Sequence, residues 1–185
     1  WTTFGEVQVG DFVFDDQGRP TRVTACSSVF LDRACYELEF DSGEKIVAAA
    51  DHLWATATDA ERASNISARV RPTTEIFETQ FTCGGRPNHA ISTARPFAAP
   101  SRDWHYITSV RLTAPVPTRC LQVAAESHLF LVSKSFIPTH NSETVLVAAT
   151  RYIQNPKYRA IIFRKSHPEI EFLIDRTHGL YSQLS

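Results

Sequence analysis

Methionine is absent from the chain. A sequence that opens on Trp1 and carries no initiator residue is expected to be a processed product or a partial reading of a longer gene. An excess of either charge is also missing: 19 Lys and Arg stand against 20 Asp and Glu, a net charge of -1. That balance excludes a polybasic or acidic tail as the working part of the molecule. No apolar run reaches the roughly 18 residues that cross a bilayer, and no basic-then-apolar leader opens the chain. The expectation is a soluble, cytoplasmic protein without a membrane partner. Cys26, Cys35, Cys83 and Cys120 lack CxxC spacing and are too sparse for a disulfide scaffold, so reduced thiols are expected, with room for a reactive one.

What the chain does have is aromatic bulk: 12 Phe, 3 Trp and 5 Tyr within a 43% apolar composition, enough for one sizeable core. From Trp1 to about Ile137 the pattern is short alternating runs broken by turns, which predicts strands. Asp11 to Phe14 enters a turn at Asp15-Asp16-Gln17-Gly18, and Thr21 to Phe30 continues as a strand. The clearest hairpin is Cys35 to Phe40 and Lys45 to Ala48 around Asp41-Ser42-Gly43, where Gly supplies the positive φ of a tight turn. Thr73 to Phe81 is predicted as one short helix capped by Thr73 or Thr74. Cys83 to Asp103 reads as loop with a short strand around Ala90 to Thr93. Tyr106 to Leu112, Cys120 to Val123 and Leu129 to Val132 read as further strands of a compact all-β domain.

At Ser142 the grammar changes to helix (Glu143 to Ile153), breaker (Asn155-Pro156) and apolar strand (Arg159 to Arg164), the start of an α/β domain. The two patterns meet without a linker, whereas tandem domains are usually joined by one. The predicted domains are therefore 1–141 and 142–185.

The junction reads Ile137-Pro138-Thr139-His140-Asn141-Ser142. An Asn amide can attack its own backbone carbonyl, closing a succinimide and cutting the chain after itself. A preceding His can protonate the leaving amine, because its unperturbed pKa lies near neutrality. The following Ser is a hydroxyl nucleophile on the downstream segment. By itself the tripeptide is usually a polar turn.

Further residues give it context. Gly10-Asp11 leads into a Val/Phe strand, Asp51-His52-Leu53-Trp54 is central, and Arg119-Cys120-Leu121-Gln122-Val123 precedes Ser127-His128-Leu129-Phe130-Leu131-Val132 and His140-Asn141-Ser142. In this order the blocks resemble those of inteins of the Hint fold, over residues 1–141. The resemblance implies a mainly β, horseshoe-like domain and autocatalytic protein splicing. It is closest to class 3 inteins, which lack a nucleophile at their own first residue and carry a Trp, Cys, Thr trio; Trp54, Cys120 and Thr139 fill those positions. It implies Cys120 as attacking thiolate, His52 as acid and base at the upstream junction, and Asn141 cyclisation assisted by His140 and His128, with Ser142 as acceptor. Where such inteins usually carry Thr three residues before the central His, this chain has Ala49. Trp1 to Glu6 resembles the segment just after the first strand of such inteins, so a first strand and an upstream flank are expected beyond Trp1. The interval between Trp54 and Arg119 is too short for an inserted endonuclease domain, which implies a mini-intein.

Residues 142–185, with Ser142-Glu143-Thr144-Val145-Leu146, Tyr158 to Lys165 and Leu173 to Arg176, resemble the start of the ATPase domain of phage terminase large subunits. Ser142 falls where that family ends its GxxxxGK[ST] phosphate loop, so ligation would restore a truncated α/β P-loop segment and its hold on Mg-ATP. This resemblance implies viral DNA as the host's partner, and a phage or phage-infected cell as its setting. The splicing step itself requires no cofactor and no metal; Cys83 with His89, and Asp103 with His105, match no common zinc spacing.

Each residue also has a plainer reading. His52 is alternatively a half-buried strand-end imidazole, Trp54 a core aromatic, Cys120 an inert thiol on an apolar strand, and His128 a strand residue with a backbone hydrogen bond. Three rival readings stay open beside the splicing one: a Hint-type domain that cleaves without ligating, an accessory β-domain of a DNA-packaging ATPase, and the large half of a split intein whose partner is a short N-terminal fragment.

Overall fold

In the computed structural model, residues 2–94, 96 and 102–140 are described; the helix and strand expected after Ser142, with Asn141 and Ser142 themselves, lie outside the described residues. The first hairpin pairs β1 (Phe12–Phe14) with β2 (Pro20–Cys26). Its turn is built on buried Asp15, whose Oδ1 accepts from the Gln17 and Arg19 backbone N–H groups and whose Oδ2 accepts from Arg19 Nε.

The second hairpin, β3 (Cys35–Phe40) and β4 (Lys45–Ala49), turns at Gly43 with φ 78°. Then come β5 (Leu53–Thr58), α1 (Asp59–Ala63), β6 (Arg69–Pro72), α2 (Thr73–Glu78), β7 (His89–Ala94) and β8 (Arg102–Thr113). They build a six-stranded sheet in the order β4-β3-β8-β7-β5-β6. The 12-residue β8 holds it together: Arg102–Tyr106 pair with β7, and Ile107–Thr113 pair with β3. One strand serving two partners along its length, with a register shift at Glu39/Phe40, curls the sheet. The chain closes with β9 (Leu121–Val123) on β2, and with the hairpin β10 (Leu129–Val132) and β11 (Ile137–His140).

Two buried clusters result. Leu38, Phe40, Trp54, Ile107 and Ile137 belong to one, and Val23, Leu121, Val123 and Phe130 to the other; Val132 packs against both. The β10–β11 hairpin therefore contributes Phe130 to one core and Ile137 to the other. Ile137 anchors β11 in the first cluster and the ladder to β10 links it to the second, so Thr139 and His140 are carried by a strand tied to both.

Several expectations need correction. The strand starting at Thr21 ends at Cys26: the Ser27 side-chain Oγ, not a backbone carbonyl, takes the Cys120 N–H (2.9 Å), and pairing resumes only as an isolated bridge between Phe30 and Thr118. The helix over Thr73 to Phe81 stops at Glu78, and its N-cap is Pro72, with no side-chain cap. The Thr73 hydroxyl is engaged elsewhere, by Trp54 and His52. The expected strand at Ala90 to Thr93 is present as β7, one residue longer at each end.

Candidate active site

His52 ends the turn that joins β4 to β5. Its N–H donates to the Ala49 carbonyl (3.0 Å), and its carbonyl accepts from the Thr73 N–H (2.9 Å) and the Thr73 hydroxyl (3.2 Å). Thr74 N–H likewise donates to Ala50 O (3.1 Å). The first N–H groups of a helix have no intrahelical acceptor, and in α2 these two hold the carbonyls of the His52 turn. The backbone that presents the imidazole is fixed at both ends.

Three site residues predicted from sequence meet there. The His52 Nε2 is hydrogen-bonded to Thr139 Oγ1, and its ring lies edge-on to Trp54 with centroids 4.8 Å apart. Trp54 is fully buried and Thr139 is 2% exposed. The indole N–H, which can only donate, finds its acceptor in Thr73 Oγ1 at 3.0 Å. Enclosure between Trp54 and Thr139 disfavours a charged ring, and burial pushes the His52 pKa down to about 4. At neutral pH this imidazole is uncharged, with a lone pair or an N–H available according to tautomer.

Cys120 stands just before β9, on the β1-β2-β9 sheet. It is half-buried, forms no disulfide, and is anchored through its backbone on Ser27. The preceding Arg119 donates from Nη1 to Gly5 O (3.2 Å), tying the N-terminal segment to the same strand end. His128 has φ 56°, in the left-handed region, and its ring centroid lies 6.3 Å from that of His140. Both histidines sit at the open end of the β10–β11 hairpin, and His140 immediately precedes Asn141 in the sequence; Leu129 is the register partner of His140. Asn141 and Ser142 are outside the described residues.

Behind the site is a polar network that no motif in the sequence marks as a unit. Arg71, the register partner of Trp54, donates to Glu61 (2.7 Å), Glu75 (2.9 Å) and the Thr56 carbonyl (2.8 Å). Thr56 Oγ1 is bonded to His89 Nδ1 (3.2 Å), and His89 Nε2 to Thr79 Oγ1 (2.8 Å). Burial raises the Glu61 pKa, but the Arg71 and Thr58 hydrogen bonds outweigh it and bring it down to about 2. Burial, aided by the Arg71 charge, lowers His89 to about 4. Thr58-x-x-Glu61, a capping box at the start of α1, is the one local signal that points to this region. Among the described residues, no group of three or more His, Cys, Asp or Glu side chains gathers to hold a metal ion, and no helix is long and apolar enough to cross a membrane. His89 is engaged by two threonines and His105 by Asp41.

No family model matches the chain. It is 40% identical over 144 residues to the replicative DNA helicase DnaB of Mycobacterium leprae (strain TN), covering 77% of this chain, and 41% identical over 120 residues to that of Mycobacterium intracellulare, covering 56%. The matched regions are 22% and 21% of those relatives' length. Among solved structures, it is 34% identical to the MchDnaB-1 intein (TM-score 0.55) and 35% identical to the Msm DnaB1 intein splicing domain bound with zinc (TM-score 0.56). Each match covers 76% of this chain and 90% of the other. The gp41-1 intein, at 18% identity and TM-score 0.51, shares the fold. A mainly β unit with a curled sheet, matched to a solved intein across nine tenths of that intein's length, leaves one assignment: the chain belongs to the intein family.

Proposed function

We propose that the chain excises itself by the class 3 route, with Cys120 as the internal nucleophile. The thiolate adds to the upstream scissile carbonyl; the C–N bond breaks, and a branched thioester forms. His52 takes the thiol proton and returns one to the departing amine, which suits an imidazole that is neutral at pH 7. Ser142 Oγ then attacks the thioester, forming an ester and regenerating the Cys120 thiol. The Asn141 side-chain amide attacks its own carbonyl, closing a succinimide and breaking the bond to Ser142, while His140, with His128 behind it, supplies the proton to the new amine. That amine attacks the ester carbonyl, leaving a peptide bond and a free Ser142 hydroxyl. No cofactor enters these steps.

The observation that carries this reading is the contact of His52 with both Trp54 and Thr139. Residues distant in sequence, each needed by the class 3 pattern, touch one imidazole.

For the host, the terminase-like pattern of residues 142–185 supports a DNA-packaging ATPase. In it Ser142 would close the phosphate loop and help hold Mg-ATP after ligation, with viral DNA as partner, in the cytoplasm of an infected cell. The helicase names of the curated relatives favour a second reading, a replicative helicase host. Domain boundaries at 141/142 fit either. A precursor carrying both flanks tests the function: mass spectrometry should find one protein of the summed flank mass. Separate flanks only would favour cleavage without ligation, and an uncut chain would favour an accessory β-domain. If ligation requires a separately supplied N-terminal fragment, the intein is split.

A further inference from the structure

Thr73 lies in neither the class 3 trio nor the junction, yet its hydroxyl joins two residues of the site. It accepts the Trp54 indole N–H at 3.0 Å and donates to the His52 carbonyl at 3.2 Å. The residue is 0% exposed, so water has no access to replace either bond. A hydroxyl has one proton to give and lone pairs to receive with, and here both capacities are used, in opposite directions, on residues two apart in β5 and the turn before it.

The connection continues outward. Pro72 is the register partner of Leu53, and Arg71 that of Trp54, so β6 delivers Thr73 alongside the His52–Trp54 segment. Arg71 reaches forward to Glu75 within α2 and back to Thr56 in β5, which fixes the start of α2 against the strand. Thr73 N–H also donates to the His52 carbonyl at 2.9 Å. The helix therefore keeps one backbone tie to His52 if the hydroxyl is lost, whereas the indole would lose its acceptor.

We propose that Thr73 is a positioning residue of the splicing site: its hydroxyl sets the Trp54 ring plane and, through it, the direction in which the edge-on His52 imidazole faces. The inference rests on the reading of His52 and Trp54 as parts of that site. Thr73 touches no reacting atom and acts through these two residues. Its influence is directed at the upstream step, where His52 works, rather than at Asn141 release.

The test compares Thr73→Val, Thr73→Ser and His52→Ala in the full precursor with both flanks, following upstream cleavage and Asn141 release separately. Thr73→Val is expected to slow upstream cleavage by roughly ten- to a hundredfold and to leave Asn141 release near the wild-type rate. Thr73→Ser, which restores a hydroxyl, is expected to recover most of the lost rate. In the NMR spectrum of the valine variant, the Trp54 indole N–H resonance should move as its hydrogen bond is lost. If His52→Ala abolishes upstream cleavage while Thr73→Val cleaves at the wild-type rate, the positioning role is wrong and the site stands. If His52→Ala cleaves normally, the site reading itself fails. If the valine and serine variants lose both steps together and melt early, Thr73 is a packing residue only, which also overturns the proposal.

Discussion

Thr139 Oγ1 and His52 Nε2 are hydrogen-bonded to each other although 87 positions separate them in sequence. The bond ties the last described strand, which leads directly into Asn141, to the turn that carries the central histidine. Chemistry at the upstream and downstream junctions would thus share one structural connection. Its partners are a nearly dry hydroxyl and an imidazole held neutral by burial.

Replacing Thr139 by Val keeps the shape of the side chain and removes that connection. A buried polar group left without its partner costs about 1–3 kcal/mol, so the variant should unfold at a lower urea concentration. Upstream cleavage in the precursor should slow by at least tenfold. Wild-type cleavage kinetics in a demonstrably folded Thr139→Val protein would show that the His52 contact is dispensable.

Acid should destabilise the fold before its carboxylates titrate. His52 and His89 have folded pKa values near 4, below the unfolded value of about 6.5. Between those limits the unfolded chain binds more protons, so stability is full above pH 6.5 and falls as the pH drops toward 4. Each histidine can contribute at most about 3 kcal/mol of that loss. Glu61, lowered to about 2, adds a further loss in the same direction as the pH falls from about 4.5 toward 2. Urea midpoints at pH 7.5, 6 and 5 should decline in that order; a flat profile would mean that the two imidazoles are not held neutral.

Glu44 should act as a clamp on the hairpin that carries Thr139. Its carboxylate accepts the Lys134 and Ser135 N–H groups (3.2 and 3.0 Å), within a turn where Ser133 and Phe136 adopt positive φ. Burial raises the Glu44 pKa, but bonds to Ser135, Ser133 and Lys134 prevail and lower it. Glu44→Ala should speed hydrogen exchange at the Lys134 and Ser135 amides by about tenfold, equivalent to about 1.4 kcal/mol. Glu44→Gln, which keeps one acceptor oxygen, should fall between the alanine variant and wild type. Unchanged exchange in the alanine variant would show that the turn holds itself.

How much of this is legible in the sequence depends on the range of the interaction concerned. The β3–β4 hairpin announces itself by alternation and by the turn residue Gly43, and short strands are expected where β7, β9 and β10 lie, but β8 begins at Arg102, within residues that read as loop and before the strand expected from Tyr106. Of the candidate site residues marked by their order along the chain, the fold brings His52, Trp54 and Thr139 into contact, while Cys120 stands just before β9 against Ser27. The strand β6 is not legible, since Arg69-Val70-Arg71-Pro72 is short and its burial is inverted relative to its pattern: Val70 is exposed while Arg71 is buried, where Glu61 and Glu75 meet it. Thr73 illustrates the limit most clearly. A threonine before an amphipathic stretch reads as a helix cap, and only the fold reveals that its hydroxyl faces Trp54 and His52 instead. Similarly, the composition after Thr21 favours a strand as far as Phe30, and nothing local shows that Ser27 will pair with Cys120.

On the proposed route the Asn141 side chain is the attacking group, so Asn141→Ala should block cleavage between Asn141 and Ser142 completely. Upstream attack and transfer to Ser142 should both remain possible, so the variant should accumulate a branched species, as thioester on Cys120 or as ester on Ser142; adding Ser142→Ala should leave only the thioester. Release of the segment beginning at Ser142 from the alanine variant would assign the cut to another residue.

The most direct measurement is to trap the branched species in the precursor with both Asn141→Ala and Ser142→Ala, where transfer to Ser142 is blocked, then change each cysteine in turn to serine. The branch should map to Cys120 by peptide mass spectrometry and should form far more slowly in Cys120→Ser, because a thiolate is populated and strongly nucleophilic at neutral pH whereas serine requires a committed base. The same change at Cys26, Cys35 or Cys83 should leave its rate unaltered. A branch that maps elsewhere, or that forms as fast with serine at position 120, would contradict the class 3 mechanism.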